Sequence, residues 1–173
     1  MQHGIFIILV FCIIIGLTIA SDSKQHLSSR EMTQVGLVVR DIEAKSKAWA
    51  DLLGVDVPEV IVTDGPDKAH TQYNGEPTDA RAKLAFFNLD NIQIELIEPI
   101  GGPSTWREFL DTRGEGVHHI AFHVDDMQQQ VLMLGQQNMP LEQKGDFTGG
   151  SYAYINGQEK LGVLLELLTS TEK

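Results

Sequence analysis

Cysteine is almost absent from this chain: Cys12 is the only one in 173 residues. A disulfide framework, a zinc knuckle built on CxxC pairs and a cysteine nucleophile in the folded body are therefore excluded. Cations are scarce as well. Thirteen Lys and Arg stand against 24 Asp and Glu, a net charge of −11. With no excess of positive charge to displace counterions from a phosphate backbone, nucleic acid is excluded as a partner. Charge is missing altogether from residues 4–20, GIFIILVFCIIIGLTIA. That run has the length of a signal-peptide core or a short transmembrane helix. The polar, turn-prone SDSKQHLSSRE follows it, and Thr18 and Ala20 form an acceptable small-residue cleavage site. The lack of Lys or Arg ahead of the run counts against the secretory form. Residues 1–24 are thus read as a signal peptide or a membrane anchor. Either reading removes Cys12 from the body and places that body outside the cytoplasm, secreted, periplasmic or membrane-anchored. What is present is a 42% hydrophobic content, enough for a core and too much for a wholly disordered chain. The length suits one domain.

The body contains a repeat. QVGLVVRDI, beginning at Gln34, aligns with HIAFHVDDM, beginning at His119, at a constant offset. Each is a β-rich run closing on Asp and followed by a helical pattern. In the first copy Ile42, Trp49, Leu52 and Leu53 recur at helical spacing and Gly54 ends the helix. In the second, Met127, Val131 and Leu134 do the same and Gly135 ends it. Asp41 and Asp126 stand where N-caps belong. Each copy also finishes alike, in NIQIELI at 91–97 and GVLLELL at 162–168, with strand candidates before them at 84–89 and 151–155. Residues 100–116 join the copies and hold a short helix from Ser104 with Trp106, Phe109 and Leu110 as its apolar face and Gly114 as its stop. Residues 63–81 are rich in Asp, Gly and Pro and lack periodicity. They read as a long loop, a mobile lid or a plain linker.

Four polar residues occupy positions that core strands avoid. Glu95 and Glu166 each interrupt an apolar strand, and Gln34 and His119 stand at equivalent places in the first strand of each copy. Taken singly, a Glu in a strand usually faces solvent, a His is more often structural, and a Gln carries no information. Taken together at repeat-equivalent positions, they point to one cleft. One imidazole nitrogen, one amide oxygen and two carboxylates compose a site for a divalent ion such as zinc, nickel, cobalt or manganese. Strand alternation places His119, Ala121 and His123 on one face and His118 on the other, away from His119.

The repeat, the four positions and the run RGEGVHHIAFHVDD resemble the vicinal oxygen chelate superfamily (the glyoxalase, bleomycin resistance and dioxygenase proteins). The stretch AKLAFFNLDNIQIELIEPIGGPSTWREFLDTRGEGVHHIAFHVDD, with GVLLELL near the end, is similar to the methylmalonyl-CoA epimerases. The resemblance implies an α+β fold of two βαβββ modules forming one domain over residues 31–169: module one 31–99, linker helix 100–116, module two 117–169. It implies Gln34, Glu95, His119 and Glu166 as metal ligands. Epimerases usually carry His at the first position, and a Gln, Glu, His, Glu set instead resembles glutathione-dependent glyoxalase I. The segment GDFTGGSYAYINGQEKLGVLLEL also lacks the HPK-like stretch common in epimerases. An extradiol dioxygenase needs two His and one carboxylate, and only one His stands at the four positions.

The implied chemistry is isomerisation or epimerisation of a small-molecule substrate by removal of a proton next to a carbonyl or thioester. Glu166 is the base and Glu95 the second acid/base candidate. Arg113, His123, Tyr152 and Tyr154 are candidates to hold substrate, with ordinary packing as the competing role for the tyrosines. A lactoylglutathione lyase and a non-catalytic secreted binding protein are the alternatives. The fold implies a homodimer, and whether the ligands come from one chain or two stays open.

Overall fold

The computed structural model describes residues 26–170; the leader assigned to residues 1–24 lies outside the described residues. The first module runs β1 (Met32–Val38), α1 (Ile42–Leu53), β2 (Ile61–Val62), an excursion with α2 (Pro66–Ala69), β3 (Gln72–Tyr73) and β4 (Glu76–Pro77), then β5 (Arg81–Asn88) and β6 (Gln93–Ile100). Helix α3 (Thr105–Arg113) leads into the second: β7 (Gly116–His123), α4 (Met127–Gln136), β8 (Leu141–Phe147), β9 (Gly150–Ile155), α5 (Gln158–Leu161) and β10 (Leu164–Ser170). The strands form one sheet in the order β2-β5-β6-β1-β7-β10-β9-β8-β3-β4. Leaving out β3 and β4, the order is symmetric. β1 and β7 pair antiparallel at the centre, and each is flanked in parallel by the last strand of its own module. This is the α+β arrangement of paired βαβββ modules expected from the sequence.

The helices begin and end where local chemistry directs. Asp41 accepts a hydrogen bond from Ala44 N at 2.9 Å, and Asp126 accepts one from Gln129 N at 2.9 Å. Ser104 caps α3 by accepting from Arg107 N, and Gly54 closes α1 in the left-handed region at φ 69°. Helix α4 runs one residue past Gly135, and the positive φ (58°) falls on Asn138 instead. Asp41→Ala is expected to destabilise the fold by about 1 kcal/mol, a Tm loss of about 2–4 °C, as the orphaned first-turn N–H loses its partner. Thermal melts beside Asp126→Ala check this: the symmetric change should cost a similar amount.

Strand alternation separates two faces. On the convex face α1 packs Ile42 and Ala50 against Ala85, Phe87 and Leu96. In the same way α4 packs Leu134 against Ile155, Leu165 and Leu167. On the concave face Val38, Ala82, Ile97, Tyr154 and Leu164 meet Trp106 and Leu110 of α3. The polar residues singled out above also lie on this concave face.

Residues 63–81 differ from their sequence reading. They are not an aperiodic loop. Asn74 and Gly75 take positive φ values of 50° and 84° and turn β3 back onto β4, the hairpin signal that Asn-Gly commonly carries. β3 then pairs with β8 at the opposite edge of the sheet from β2. The segment therefore spans the concave trough from edge to edge. It is tied down by Asn74 N to Glu142 O at 2.7 Å and by the Thr78 hydroxyl donating to Pro103 O at 2.9 Å.

Candidate metal centre

The four central strands β6, β1, β7 and β10 carry Glu95, Gln34, His119 and Glu166 on the face toward the trough. In register, Glu95 lies beside Gly36, and Gly36 lies beside His119. Glu166 lies beside Ala121, one strand further on. Glu95 and His119 are thus two strands apart, about 9–10 Å at ordinary strand spacing. The absence of a side chain at Gly36 allows the imidazole to cross that gap: a Cβ there would stand 2.0 Å from His119 Cε1. His119 Nε2 reaches to 3.5 Å from Glu95 Oε2 and 3.1 Å from Glu166 Oε2. A glycine within an apolar strand signals close approach, and by that rule Gly36 was legible in the sequence.

All three residues are buried, and Glu95 Oε2, His119 Nε2 and Glu166 Oε2 each lack a hydrogen-bond partner. Such groups are costly unless something binds them. Glu95 is held well above the usual carboxylate range, by burial first and then by the charge of Glu166. A divalent cation relieves both penalties. Ligand bonds of about 2.1 Å in a tetrahedral shell place donor atoms about 3.4 Å apart, close to the two separations present. The three ligating atoms lie within 4.8 Å of one another. They belong to one chain, so the cluster is assembled without a partner.

Gln34 lies on the same face, buried, and lines the cavity together with Glu95 and Glu166. Its Nε2 donates to Gln93 Oε1 at 2.7 Å, and Gln93 Nε2 donates to Asn88 Oδ1 at 2.7 Å. This chain of amides turns the Gln34 nitrogen toward Gln93. Gln93 was missed in the sequence, although it shares the strand face of Glu95 two residues away.

His118 corrects a sequence expectation. It does not point away from His119. The β1–β7 register slips between Gly36–His119 and Leu37–Val117, so His118 is an extra residue in a bulge and the alternation fails there. Its Nδ1 lies 3.0 Å from His119 Nδ1. Burial, and then neighbouring His119, hold the His118 imidazole well below its ordinary pKa. In the tautomer in which His119 Nδ1 donates across this contact, the His119 Nε2 lone pair faces the carboxylates.

Tyr154 packs on the His119 ring at 5.0 Å between centroids, and its hydroxyl accepts from Trp106 Nε1 at 3.1 Å. The Tyr152 hydroxyl accepts from Gln143 Nε2 at 3.2 Å, and burial pushes its pKa up to about 12. Both tyrosines and His123 line the cavity. Arg113 does not. It stands at the far end of α3, seven residues and about 10 Å of helix beyond Trp106. There its Nη1 donates to Gln158 Oε1 at 2.7 Å, in a separate small cavity with Glu142 and Asn156. The docking of α3 through Trp106 and Leu110 decides this, and Arg113 is withdrawn as a substrate contact.

The burial of Glu95 carries a pH dependence. Its folded pKa is raised, so the stability it contributes is present while both states are protonated. That stability is lost as pH rises from the ordinary carboxylate pKa through the folded one. Metal-free protein is expected to lose Tm as pH rises above the ordinary carboxylate range, and Glu95→Gln to flatten that slope. Stabilisation by added zinc should grow over the same range, since a cation competes with the proton. Melts with chelator or zinc across this range check both.

Comparison with known proteins agrees with this architecture. Residues 33–154 match the family model described as Glyoxalase/Bleomycin resistance protein/Dioxygenase superfamily. Mouse mitochondrial methylmalonyl-CoA epimerase is 28% identical over 140 residues, covering 79% of this chain and 71% of that protein. An uncharacterized protein of Bacillus subtilis (strain 168), YqjC, is 34% identical over 90 residues, 50% of this chain. The match spans 64% of that relative, just under two thirds of its length. Among solved structures, a methylmalonyl-CoA epimerase in complex with methylmalonyl-CoA and NH4+ superposes with a TM-score of 0.56 at 19% identity, covering 82% of this chain and 95% of that one. The methylmalonyl-CoA epimerase from Mycobacterium tuberculosis gives 0.55 at 21% identity, covering 85% and 95%. With the paired modules, the central β1–β7 seam and the family match all in place, the chain belongs to the glyoxalase/bleomycin resistance protein/dioxygenase superfamily.

Proposed function

We propose that the protein is a metal-dependent isomerase or epimerase that removes and returns a proton next to a carbonyl or thioester. The observation that carries this reading is the convergence of Glu95, His119 and Glu166, buried and without hydrogen-bond partners at the facing atoms, where the two carboxylates line one cavity. Glu95, His119 and Glu166 would hold a divalent ion, with the Gln34 amide oxygen as the fourth protein donor. The ion, when bound, acts as a Lewis acid on the substrate oxygens and stabilises the enolate. Glu166 takes the proton from the carbon next to the carbonyl, and its burial keeps water from competing for that proton. Glu95 is the second acid/base. His118 fixes the ring of His119 and takes no part in proton transfer. The epimerase relatives support this chemistry and leave the substrate of this chain to its own cavity. We also propose that residues 4–20 export or anchor the domain outside the cytoplasm.

The test is deuterium exchange. Full-length protein loaded with zinc, nickel, cobalt or manganese is incubated in D2O with 2-methyl-3-oxoacyl and 2-methylmalonyl thioesters. Exchange at the central carbon above the metal-free control is the expected result. Ligand binding with stoichiometric metal and no exchange would overturn the enzymatic reading and make the chain a small-molecule-binding protein.

A further inference from the structure

The cavity above the centre has a volume of about 560 Å³, within the range that encloses most of a small organic ligand. Its walls are apolar: Ile61 and Val62 of β2, Leu84 and Phe86 of β5, Phe147 of β8 and Leu168 of β10. Its charged lining is acidic. Glu95 and Glu166 stand at the centre, and Asp64 and Asp146 stand with exposed His123 farther from it. Among the described residues no Lys or Arg lines it. The basic side chains beside the two aspartates are already engaged: Lys68 lies 3.6 Å from Asp64, and His70 lies 2.9 Å from Asp146. The strands explain the pattern. On β5 the apolar Leu84 and Phe86 face the trough, while Arg81 and Lys83 alternate onto the other face, where Lys83 pairs with Glu98 at 3.0 Å. The crossing segment contributes Thr63, Asp64, Ala69 and Thr71 to the lining and brings no unpaired cation with it.

An anionic carrier entering this space meets apolar walls and the like charge of Asp64 and Asp146, and it must break the Lys68 and His70 pairs to find a basic partner. An uncharged apolar group instead buries against six hydrophobic side chains and removes apolar surface from water. Resting on the proton-transfer reading above, we propose that the substrate is an uncharged, largely apolar carbonyl compound, and not a thioester of a phosphorylated carrier. Its carbonyl end faces the Glu95–His119–Glu166 cluster, and its body fills the wall between β2, β5 and β8. In the step itself the C–H bond next to the carbonyl breaks. Its proton goes to Glu166, and its electron pair moves onto the carbonyl oxygen as the enolate. The reverse transfer restores the C–H bond, and no other reagent is consumed.

A matched pair of probes tests this: the S-benzyl and the coenzyme A thioesters of 2-methylacetoacetate, identical at the reacting carbon. Calorimetric binding to full-length, zinc-loaded protein is measured beside exchange in D2O. The benzyl thioester is expected to bind at least about tenfold more tightly. In Asp64→Lys/Asp146→Lys, at two solvent-accessible positions, the preference should fall by about tenfold through gain of the coenzyme A form. Equal or tighter binding of the coenzyme A thioester to the wild type overturns the proposal while leaving the chemistry standing, provided that form exchanges. Preferred binding of the benzyl form without exchange supports the substrate class and overturns the proton-transfer reading. Binding of neither overturns the proposal.

Discussion

Glu166→Gln is expected to slow deuterium exchange by at least about 100-fold, the ordinary share of a positioned general base. The substitution keeps shape and volume and leaves an amide oxygen, so a donor to the cation survives while the proton acceptor does not. Glu166 is buried beside His119 Nε2 at 3.1 Å, so the variant also loses metal affinity. The two losses separate by titration. If Glu166 serves as the base, saturating zinc or manganese restores occupancy and leaves exchange slow. If it serves only as a ligand, the rate returns with the metal. Metal content by elemental analysis and exchange rate by NMR, taken across one metal titration, distinguish these outcomes. Glu95→Gln is the companion measurement, with a smaller rate loss expected and a flattened dependence of stability on pH.

Gly36→Ala is expected to damage the centre without touching a ligand. The added carbon would stand 2.0 Å from His119 Cε1 and 2.4 Å from Nε2, far inside van der Waals contact. The ring cannot simply swing away. It is fully buried, with Tyr154 5.0 Å away by centroid and His118 Nδ1 3.0 Å from its Nδ1. Overpacking of this kind costs about 1–3 kcal/mol, or a Tm loss of about 2–12 °C for a chain of this size. Displacement of the imidazole should weaken metal binding by about 10- to 100-fold. Gly135→Ala is the control. Gly135 lies inside α4 with open space around it, so there the same change should be neutral or stabilising by about 0.5–1 kcal/mol. Equal Tm and equal zinc affinity in Gly36→Ala and wild type would show that the ring does not lie across Gly36.

Much of this protein was decided locally and could be read from the chain. Helix starts at Asp41, Ser104 and Asp126 follow from side chains that reach N–H groups three residues on. The repeat marked two modules, and a carboxylate inside each closing apolar strand marked Glu95 and Glu166. Other features depend on contacts between segments far apart in sequence. Strand alternation placed His118 on the wrong face because a bulge arises only where β7 pairs with β1. Arg113 looked like a substrate contact until α3 docked through its Trp106 end and carried it away from the cavity. Residues 63–81 looked featureless because two-residue strands have no periodicity. Their order comes from pairing with β8, a partner from the other module. The residue types of the centre, its helix caps and its module plan were set by the sequence alone. The meeting of Glu95, His119 and Glu166 was decided by the fold, because strand register sets which side chains converge, and register is a property of the paired strands together.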